Sequence, residues 1–120
     1  MMIAIPVNEN SENAGICVSF GRAPFFLFHD TETGKSTSEA NAAANAQGGA
    51  GIKAAQFIAD KGAEAVITPR CGENAAQVLQ AAGIKIYKSS GSDAGQNLAD
   101  LKVGKLELLS SFHAGFHGRQ

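Results

Sequence analysis

Short apolar runs separated by polar or glycine-containing segments set the pattern of this chain. Ile3–Val7 and Ala65–Thr68 are almost entirely apolar and predict buried strands. Phe25–His29 is rich in aromatic residues and predicts another strand, which turns through DTETGKS into a weaker return strand at Ser36–Asn41. Ile84–Tyr87 is the last segment that predicts a strand. We therefore expect a sheet of short strands, two of which form a hairpin.

Helical patterns fill the intervals between these strands. The first helix is expected from about Gly51 to Lys61, with Lys53, Gln56 and Asp60 grouped on its polar face. The second is expected over Glu73–Ala82. A glycine directly follows each of these two helices, which is a typical stop signal.

Three other segments carry weaker patterns. Ser92 or Asp93 is a candidate N-cap of a third helix, and the later VGKLELL predicts a last short extended piece. The small-residue segment ANAAANAQGGAG, at 40–51, is predicted to be a loop too poor in bulky side chains to build core. The segment 111–120, which contains histidine and glycine, is predicted to be a flexible tail.

The order of these elements predicts the fold class. Strands that alternate with helices imply parallel crossovers, and the early hairpin adds an antiparallel edge. We therefore expect an α/β fold with a mixed sheet and helices on both faces. The chain has 120 residues, of which 44% are hydrophobic and 18% charged, and this composition suits one globular domain over 1–110.

Charge and composition exclude several classes of protein. A net charge of -1 argues against a dedicated nucleic-acid binder, which is normally basic. No apolar run is long enough to cross a membrane, and MMIAIPV lacks the basic region and cleavage site of a signal peptide. We therefore expect a cytoplasmic protein with no membrane partner, whose Cys17 and Cys71 are reduced.

Three segments are expected to meet at the carboxyl ends of the parallel strands, where ligands bind in open α/β sheets. They are Asn8–Phe20 after the first strand, Gln47–Gly51 before the first helix and Pro69–Glu73 before the second. Helix N-termini attract anions, and Arg22 and Arg70 add positive charge. The pattern favours an anionic ligand, although glycines before helices also serve ordinary tight turns. GGAG lacks the lysine of a phosphate-binding loop.

The two cysteines each have a functional and a packing interpretation. Cys71, beside Arg70 at a helix N-terminus, is a candidate soft-metal ligand with a lowered pKa. Cys17 lies between Ile16 and Val18, where packing explains it well and metal binding is the weaker alternative. A free cysteine is commonly just a small buried hydrophobic residue, so both interpretations stay open.

Other candidate chemistry is sparse. His113 and His117 would share one face of a helix and hold a metal there, but Gly115 and Gly118 disfavour that helix. No cluster of carboxylates suits metal-assisted hydrolysis, and no serine stands in a Gly-x-Ser-x-Gly elbow. We therefore expect no catalytic residues and no enzymatic activity.

Several segments together resemble the dinitrogenase iron–molybdenum cofactor biosynthesis family. They are MIAIPVNEN, SFGRAPFFLFHD, GGAGIKAAQFIADKGAEAVIT, CGENAAQVLQAAGIKIYKSSG and LADLKVGKL, and they span nearly the whole chain. The most specific pieces are Phe20-Gly21-Arg22-Ala23 and the run from 48 to 83. The resemblance implies a ribonuclease H-like three-layer fold with a five-stranded sheet. It also implies that members bind or carry metal–sulfur clusters without catalysing a reaction.

The family resemblance gives the expected function. The chain is expected to bind or carry an anionic iron–sulfur or molybdenum-containing cluster, with cluster donor or acceptor proteins as partners and a monomeric or weakly dimeric state. The alternative is a small regulatory or interaction module that binds an organic anion or nucleotide in the same pocket. The expected cofactor-binding residues are Asn8, Ser19, Phe20, Gly21, Arg22, Gly48, Gly49, Ala50, Gly51, Arg70, Cys71, Gly72 and Glu73.

The chain departs from the family pattern in its ligand positions. The cofactor carriers have histidine where this chain has Ser19, and that histidine is their expected cluster ligand. Many relatives have Gly-Cys or Gly-His-Gly where this chain has the GGAG of 48–51. Cys71 stands where relatives often have no cysteine. We therefore expect a cluster to be held mostly by hydrogen bonds and charge, or by Cys71. The alternative is that this chain does not bind a nitrogenase-type cofactor.

Overall fold

A computed structural model, which describes residues 1–11 and 14–112, shows a mixed five-stranded sheet with the strand order β3-β2-β1-β4-β5. The strands are β1 (Met2–Val7), β2 (Phe25–Asp30), β3 (Ser36–Ala40), β4 (Ala65–Thr68) and β5 (Lys85–Lys88). The helices are a 3-10 helix (Ala42–Asn45), α1 (Ala50–Asp60), α2 (Glu73–Ala81) and α3 (Ala94–Lys102). The predicted α/β class is confirmed, and the ribonuclease H-like label stays a prediction.

Strand direction follows from the connections between strands. β1, β2 and β3 form an antiparallel meander, in which the β2–β3 hairpin turns through the predicted DTETGKS segment. β4 runs parallel to both β1 and β5. All four residues of β4 are buried, as expected for a parallel strand that is covered on both faces. The carboxyl ends of β1 and β4 therefore lie side by side, at the same end of the sheet's strands.

The core has two layers, one on each face of the sheet. α1 and α2 cover the face that carries Phe26, Phe28 and Val66, while α3 packs over the face of Ile5 and Ile67. Aromatic pairs strengthen the first layer, because the Phe28 and Phe57 ring centroids lie 5.8 Å apart in an edge-to-face arrangement. Helices on both faces confirm the predicted layering.

The small-residue segment at 40–51 contributes to the core, and the prediction that it could not was wrong. Asn41, Ala43 and Ala50 are all buried. Asn41 organises the segment, because its Oδ1 accepts from the Ala43 N–H at 3.1 Å and its Nδ2 donates to the Gly21 and Ala23 carbonyls. An amide side chain thus folds the alanines into a 3-10 helix, and their small size allows close packing on α1.

The segment after α3 adds the short extended piece that VGKLELL predicts. Tyr87 and Leu108 form an antiparallel bridge. The Lys88 N–H donates to Glu107 O and the Leu109 N–H to Ile86 O, both at 2.8 Å. The predicted tail lies outside the described residues from position 113 onward, and so do His113 and His117.

Asn97 anchors α3 to the turn that precedes it. Its side chain is fully buried, donates to Ser90 O at 2.8 Å and to Asp93 O at 2.9 Å, and accepts from the Ser90 N–H at 2.7 Å. Asp93 caps the helix by accepting from the N–H groups of Gly95 and Gln96. Of the two predicted N-caps, Asp93 is therefore the one used.

Replacing Asn97 by alanine is expected to lower the free energy of unfolding by about 2–3 kcal/mol, because it leaves the Ser90 N–H and C=O groups without their partner. Urea denaturation followed by circular dichroism measures this change. The control is Gln96→Ala, which removes an exposed 3.0 Å hydrogen bond to Asp100 and is expected to cost under about 0.5 kcal/mol. Equal losses in the two variants would contradict the role assigned to Asn97.

Candidate ligand-binding cleft

A cleft of about 580 Å³ opens beside the starts of α1 and α2. Three chain segments form its walls, at 18–22, at 47–52 and at 70–75. Its lining residues are Val18, Ser19, Phe20, Gly21, Arg22, Gln47, Gly48, Gly49, Ala50, Gly51, Ile52, Arg70, Gly72, Asn74 and Ala75. The structure thus brings together parts of the three segments expected to converge.

Both helices that border the cleft begin without a side-chain cap. The N-cap residues are Gly49, at φ 68°, and Gly72, and neither offers a side-chain acceptor. In contrast, the 3-10 helix and α3 are capped by Asn41 and Asp93. The first-turn N–H groups of α1 and α2 have no partner within their own helix. Water or a ligand can therefore accept hydrogen bonds from these groups.

Glycine permits the walls of the cleft to approach one another at backbone distance. A Cβ on Gly21 would lie 2.7 Å from the Gly51 nitrogen and 2.8 Å from its Cα. A Cβ on Gly51 would lie 3.3 Å from the Ala75 Cβ of α2. The loop at 18–22, the start of α1 and the start of α2 are therefore packed as one unit, in which Gly21 has no room for a Cβ and Gly51 has little.

Arg22 lines the cleft and also connects two of the segments around it through hydrogen bonds. Its Nη1 donates to the carbonyls of Ala44 at 3.1 Å and Ala46 at 2.8 Å. Its backbone N–H donates to Ser19 Oγ at 3.1 Å. The guanidinium therefore ties the 3-10 helix to the loop at 18–22, while the Ser19 hydroxyl closes the turn within that loop.

Charge at the cleft has one sign. Arg22 and Arg70 line it, and none of its described lining residues is aspartate, glutamate, histidine or cysteine. Arg70 is exposed, and its carbonyl accepts from Thr68 Oγ1 at 2.9 Å, which fixes the turn after β4. Neither arginine forms an ion pair within residues 1–11 and 14–112. The arrangement favours an anion that accepts hydrogen bonds from backbone N–H groups.

Cys71 points into the core rather than the cleft. The residue is 1% exposed and belongs to the cluster under α1 and α2. Its thiol donates weakly to Gly72 O at 3.6 Å. Burial raises the pKa of Cys71 to about 11, so the lowered pKa expected from Arg70 and the helix N-terminus was wrong. The cost of desolvating a thiolate outweighs the favourable field of the helix.

Three other predicted site residues also lie away from the lining. Asn8 is exposed and its N–H donates to Gly15 O at 2.9 Å, because the chain after β1 first folds toward α3. Cys17 is half-buried beside β1, with its N–H bonded to Pro6 O at 2.8 Å. Glu73 is exposed at the first position of α2. None of these three residues lines the cleft.

Sequence analysis missed five residues that line the cleft. These are Val18, Gln47, Ile52, Asn74 and Ala75. Val18 and Gln47 lie within the segments expected to converge, although they were not among the predicted site residues. Ile52, Asn74 and Ala75 directly follow two of these segments, in the first turns of α1 and α2. Val18 is 70% exposed, which the sequence alone does not reveal. Together they give the cleft apolar contact area next to its donors.

The described residues contain no cluster of side chains that suits metal binding. In the described part of the chain, no three histidine, cysteine, aspartate or glutamate side chains group closely enough to hold a metal ion. The same residues include no helix that is long and apolar enough to cross a membrane.

Replacing Gly21 by alanine is expected to lower the free energy of unfolding by about 2 kcal/mol or more, because its Cβ would overlap the Gly51 backbone. Thermal or urea denaturation measures the loss. Gly48→Ala is the matched control, since a Cβ there meets nothing within 4 Å, and a change within about 0.5 kcal/mol is expected. A stable Gly21→Ala protein would show that the close approach is not required.

Cys71 is expected to resist alkylation by iodoacetamide at pH 8, because only about one thiol in a thousand is ionised three pH units below its pKa and the sulfur is buried. Mass spectrometry of a Cys17→Ser protein isolates this site. The same protein in guanidinium is expected to react fully at Cys71. Rapid labelling of the folded protein would contradict the buried, neutral thiol.

Comparison with known proteins agrees with the fold. Residues 1–104 match the family model for dinitrogenase iron-molybdenum cofactor. The structure resembles the apo orange protein from Desulfovibrio gigas, with 31% identity, coverage of 92% of this chain and 93% of that one, and a TM-score of 0.86.

Two further relatives extend the match. A putative NifB protein from Thermotoga shares 32% identity, covers 95% of this chain and 97% of its own, and gives a TM-score of 0.82. An uncharacterized protein of Methanocaldococcus jannaschii is 30% identical over 110 residues, which are 89% of this chain and 90% of that protein. The chain belongs to the dinitrogenase iron–molybdenum cofactor family.

Proposed function

We propose that this protein is a non-catalytic binding or carrier protein for an anionic metal–sulfur cluster, iron–sulfur or molybdenum-containing. The observation that carries the proposal is a cleft between two uncapped helix N-termini, with Arg22 and Arg70 on its walls and no acidic residue in its described lining. Family membership supports a role related to iron–molybdenum cofactor biosynthesis. One similar structure is named as a putative NifB protein, and this name agrees with such a role.

The cleft suits a cluster that arrives with its metals already ligated by sulfur. Its lining offers N–H donors and guanidinium groups but no thiolate or imidazole among the described residues. Sulfur atoms of an anionic cluster accept hydrogen bonds from backbone N–H groups, as in many iron–sulfur sites. Arg22 and Arg70 then balance the cluster charge. The protein holds the outer sulfur surface and leaves the metal coordination unchanged.

Apolar residues at the cleft favour a soft, weakly hydrated anion over a small hydrated one. Val18 and Ile52 line the cleft beside the glycine backbone. A sulfide-covered surface is polarisable and can contact these side chains without losing strong water hydrogen bonds. The absence of a side chain at Gly48 and Gly49 leaves the entrance uncovered, since a Cβ at either position meets nothing within 4 Å.

An open cleft without metal–protein bonds fits a carrier rather than a permanent cluster site. Hydrogen bonds and charge release an anion faster than a thiolate ligand would. Cluster donor and acceptor proteins would exchange the ligand across the exposed walls at 47–49 and 70. The described lining residues include no histidine, carboxylate or cysteine that could activate a nucleophile, and their one hydroxyl, that of Ser19, accepts from the Arg22 N–H, which is why we propose no catalytic step.

The test is anaerobic incubation of the full chain with tetrathiomolybdate and copper(I), and separately with iron and sulfide, followed by desalting. Retained metal in a fixed ratio to protein, with sulfur-to-metal charge-transfer absorption, supports the proposal. Protein that remains colourless and metal-free in both experiments overturns it. A thermal-shift screen with nucleotides and organic phosphates then tests the alternative of an organic-anion module.

Gly48→Asp is expected to weaken binding of the anionic cluster by at least about fivefold, because it places a carboxylate at the start of α1 and beside the ligand. Gly48→Asn is the matched control, with the same shape and no charge, and is expected to stay within about twofold of the original protein. Anaerobic titration of tetrathiomolybdate with copper(I) gives both affinities. Equal affinities in the two variants would contradict an electrostatically selected ligand.

Arg70→Ala is expected to weaken the same binding by about fivefold and to reduce its dependence on salt concentration. Arg70 is suitable because its side chain has no hydrogen bond or ion pair within the described residues, so stability should be retained. Arg22→Ala is less informative, since it also releases the Ala44 and Ala46 carbonyls. An unchanged affinity in Arg70→Ala would remove this side chain from the site.

A further inference from the structure

Within residues 1–11 and 14–112, the outer edge of β3 is the open edge of the sheet. β3 and β5 are its two terminal strands. The outer edge of β5 is occupied by residues 107–109, through hydrogen bonds to the backbone of Lys88 and Ile86. No comparable hydrogen bond reaches the outer edge of β3 from the part of the chain that the structure describes. This edge therefore presents backbone groups to a partner.

The register of the β2–β3 hairpin identifies the outward-facing groups. The Asp30 N–H donates to Lys35 O at 2.9 Å and the Asn41 N–H donates to Pro24 O at 3.0 Å. In an antiparallel pair, inward-bonded and outward-facing residues alternate. Residues 35, 37, 39 and 41 thus bond toward β2, whereas the N–H and C=O groups of Ser36, Ser38 and Ala40 face outward.

β3 lacks the features that usually protect an edge strand. It contains no proline, and its pairing with β2 is continuous from Ala40 to Ser36 with no bulge. Its side chains are small and neutral except for Glu39, whose carboxylate forms an ion pair at 2.7 Å with Lys61, the residue directly after α1. A second extended strand can therefore approach without meeting a bulky or inward-pointing charged residue.

We propose that β3 pairs antiparallel with β3 of a second copy of this chain, about a two-fold axis at Thr37. Ser36 then lies opposite Ser38 of the second copy, and both residues direct their hydrogen-bonding groups outward as such a pair requires. The contact is isologous, so each bond occurs twice and the assembly closes at two chains. The two sheets become one continuous sheet.

Charge selects both the partner and the register. Lys35 and Glu39 lie four residues apart, on the same face of the strand and symmetrically about Thr37. The two-fold axis therefore places Lys35 opposite Glu39 of the second copy, and the reverse, which gives two ion pairs between the chains in addition to the Glu39–Lys61 pair within each chain. An axis at Ser38 would instead set Lys35 opposite Asn41 and form neither pair. The edge is thus complementary to itself in one register.

The size of the contact predicts a weak, reversible dimer. β3 has five residues, so the buried area falls below the range of stable interfaces. We expect half-association at roughly 100 µM to 1 mM, the range of transient complexes. Binding at this edge is independent of the ligand cleft, so failure of the cluster experiment would leave this proposal intact.

The test is analytical ultracentrifugation of the full chain between about 10 µM and 1 mM. The sedimentation coefficient is expected to rise with concentration toward that of a dimer. Lys35→Glu and Glu39→Lys are each expected to weaken association at least about tenfold, because each substitution acts at two symmetric pairs. An equimolar mixture of the two variants is expected to regain association, since the heterodimer has opposite charges at both positions.

Matched controls separate this contact from net charge and from misfolding. Lys53→Glu and Glu64→Lys make the same charge changes at exposed positions away from the edge and are expected to associate like the original chain. Ser38→Pro removes an outward N–H and leaves the bonds to β2, so a folded monomer is expected. Thermal melts verify folding of every variant. A monomer at all concentrations, or a mixture no stronger than its components, overturns the proposal.

Discussion

The contact between Gly21 and the backbone of Gly51 is the constraint on which the candidate site depends. It joins the loop that follows β1 to the start of α1, at a distance that leaves no room for a Cβ. Gly51 in turn packs on Ala75, so α2 begins beside α1. The cleft is consequently a backbone structure, and its donors are fixed before any ligand arrives. Side chains contribute charge and apolar surface around that frame.

The helix N-termini at the cleft lack stabilising side-chain caps, whereas other parts of the fold have them. Uncapped N-termini at Gly49 and Gly72 leave N–H groups without intrahelical partners. The Asp93 cap and the buried Asn97 stabilise α3, where no ligand is expected. Cys71 lies between lining residues in the sequence, yet its buried neutral thiol packs in the core and does not face the cleft. The cluster proposed to bind in the cleft would therefore be held by hydrogen bonds and charge rather than by this thiol.

The β2–β3 hairpin serves two surfaces. β2 carries Phe26 and Phe28 into the core, while β3 is a more polar strand whose outer edge has no partner strand in the described part of the chain. β3 ends at Ala40, and the 3-10 helix begins two residues later. The carbonyl of Ala46, directly after this helix, accepts a hydrogen bond from Arg22 at the cleft. The proposed dimer edge and the ligand cleft thus share one short stretch of chain, although different residues form them.

The sequence by itself determined the elements and the region of the site. Apolar runs at Ile3–Val7 and Ala65–Thr68, and glycine stops after α1 and α2, act through neighbours along the chain, so local physics predicts them. Tertiary structure decided which residues face the cleft. It placed Cys71 in the core, Asn8 toward α3 and Val18 at the opening, because side-chain direction and burial depend on contacts between distant segments. The same holds for Asn41, whose buried bonds to Gly21 and Ala23 span a gap that no local pattern reveals.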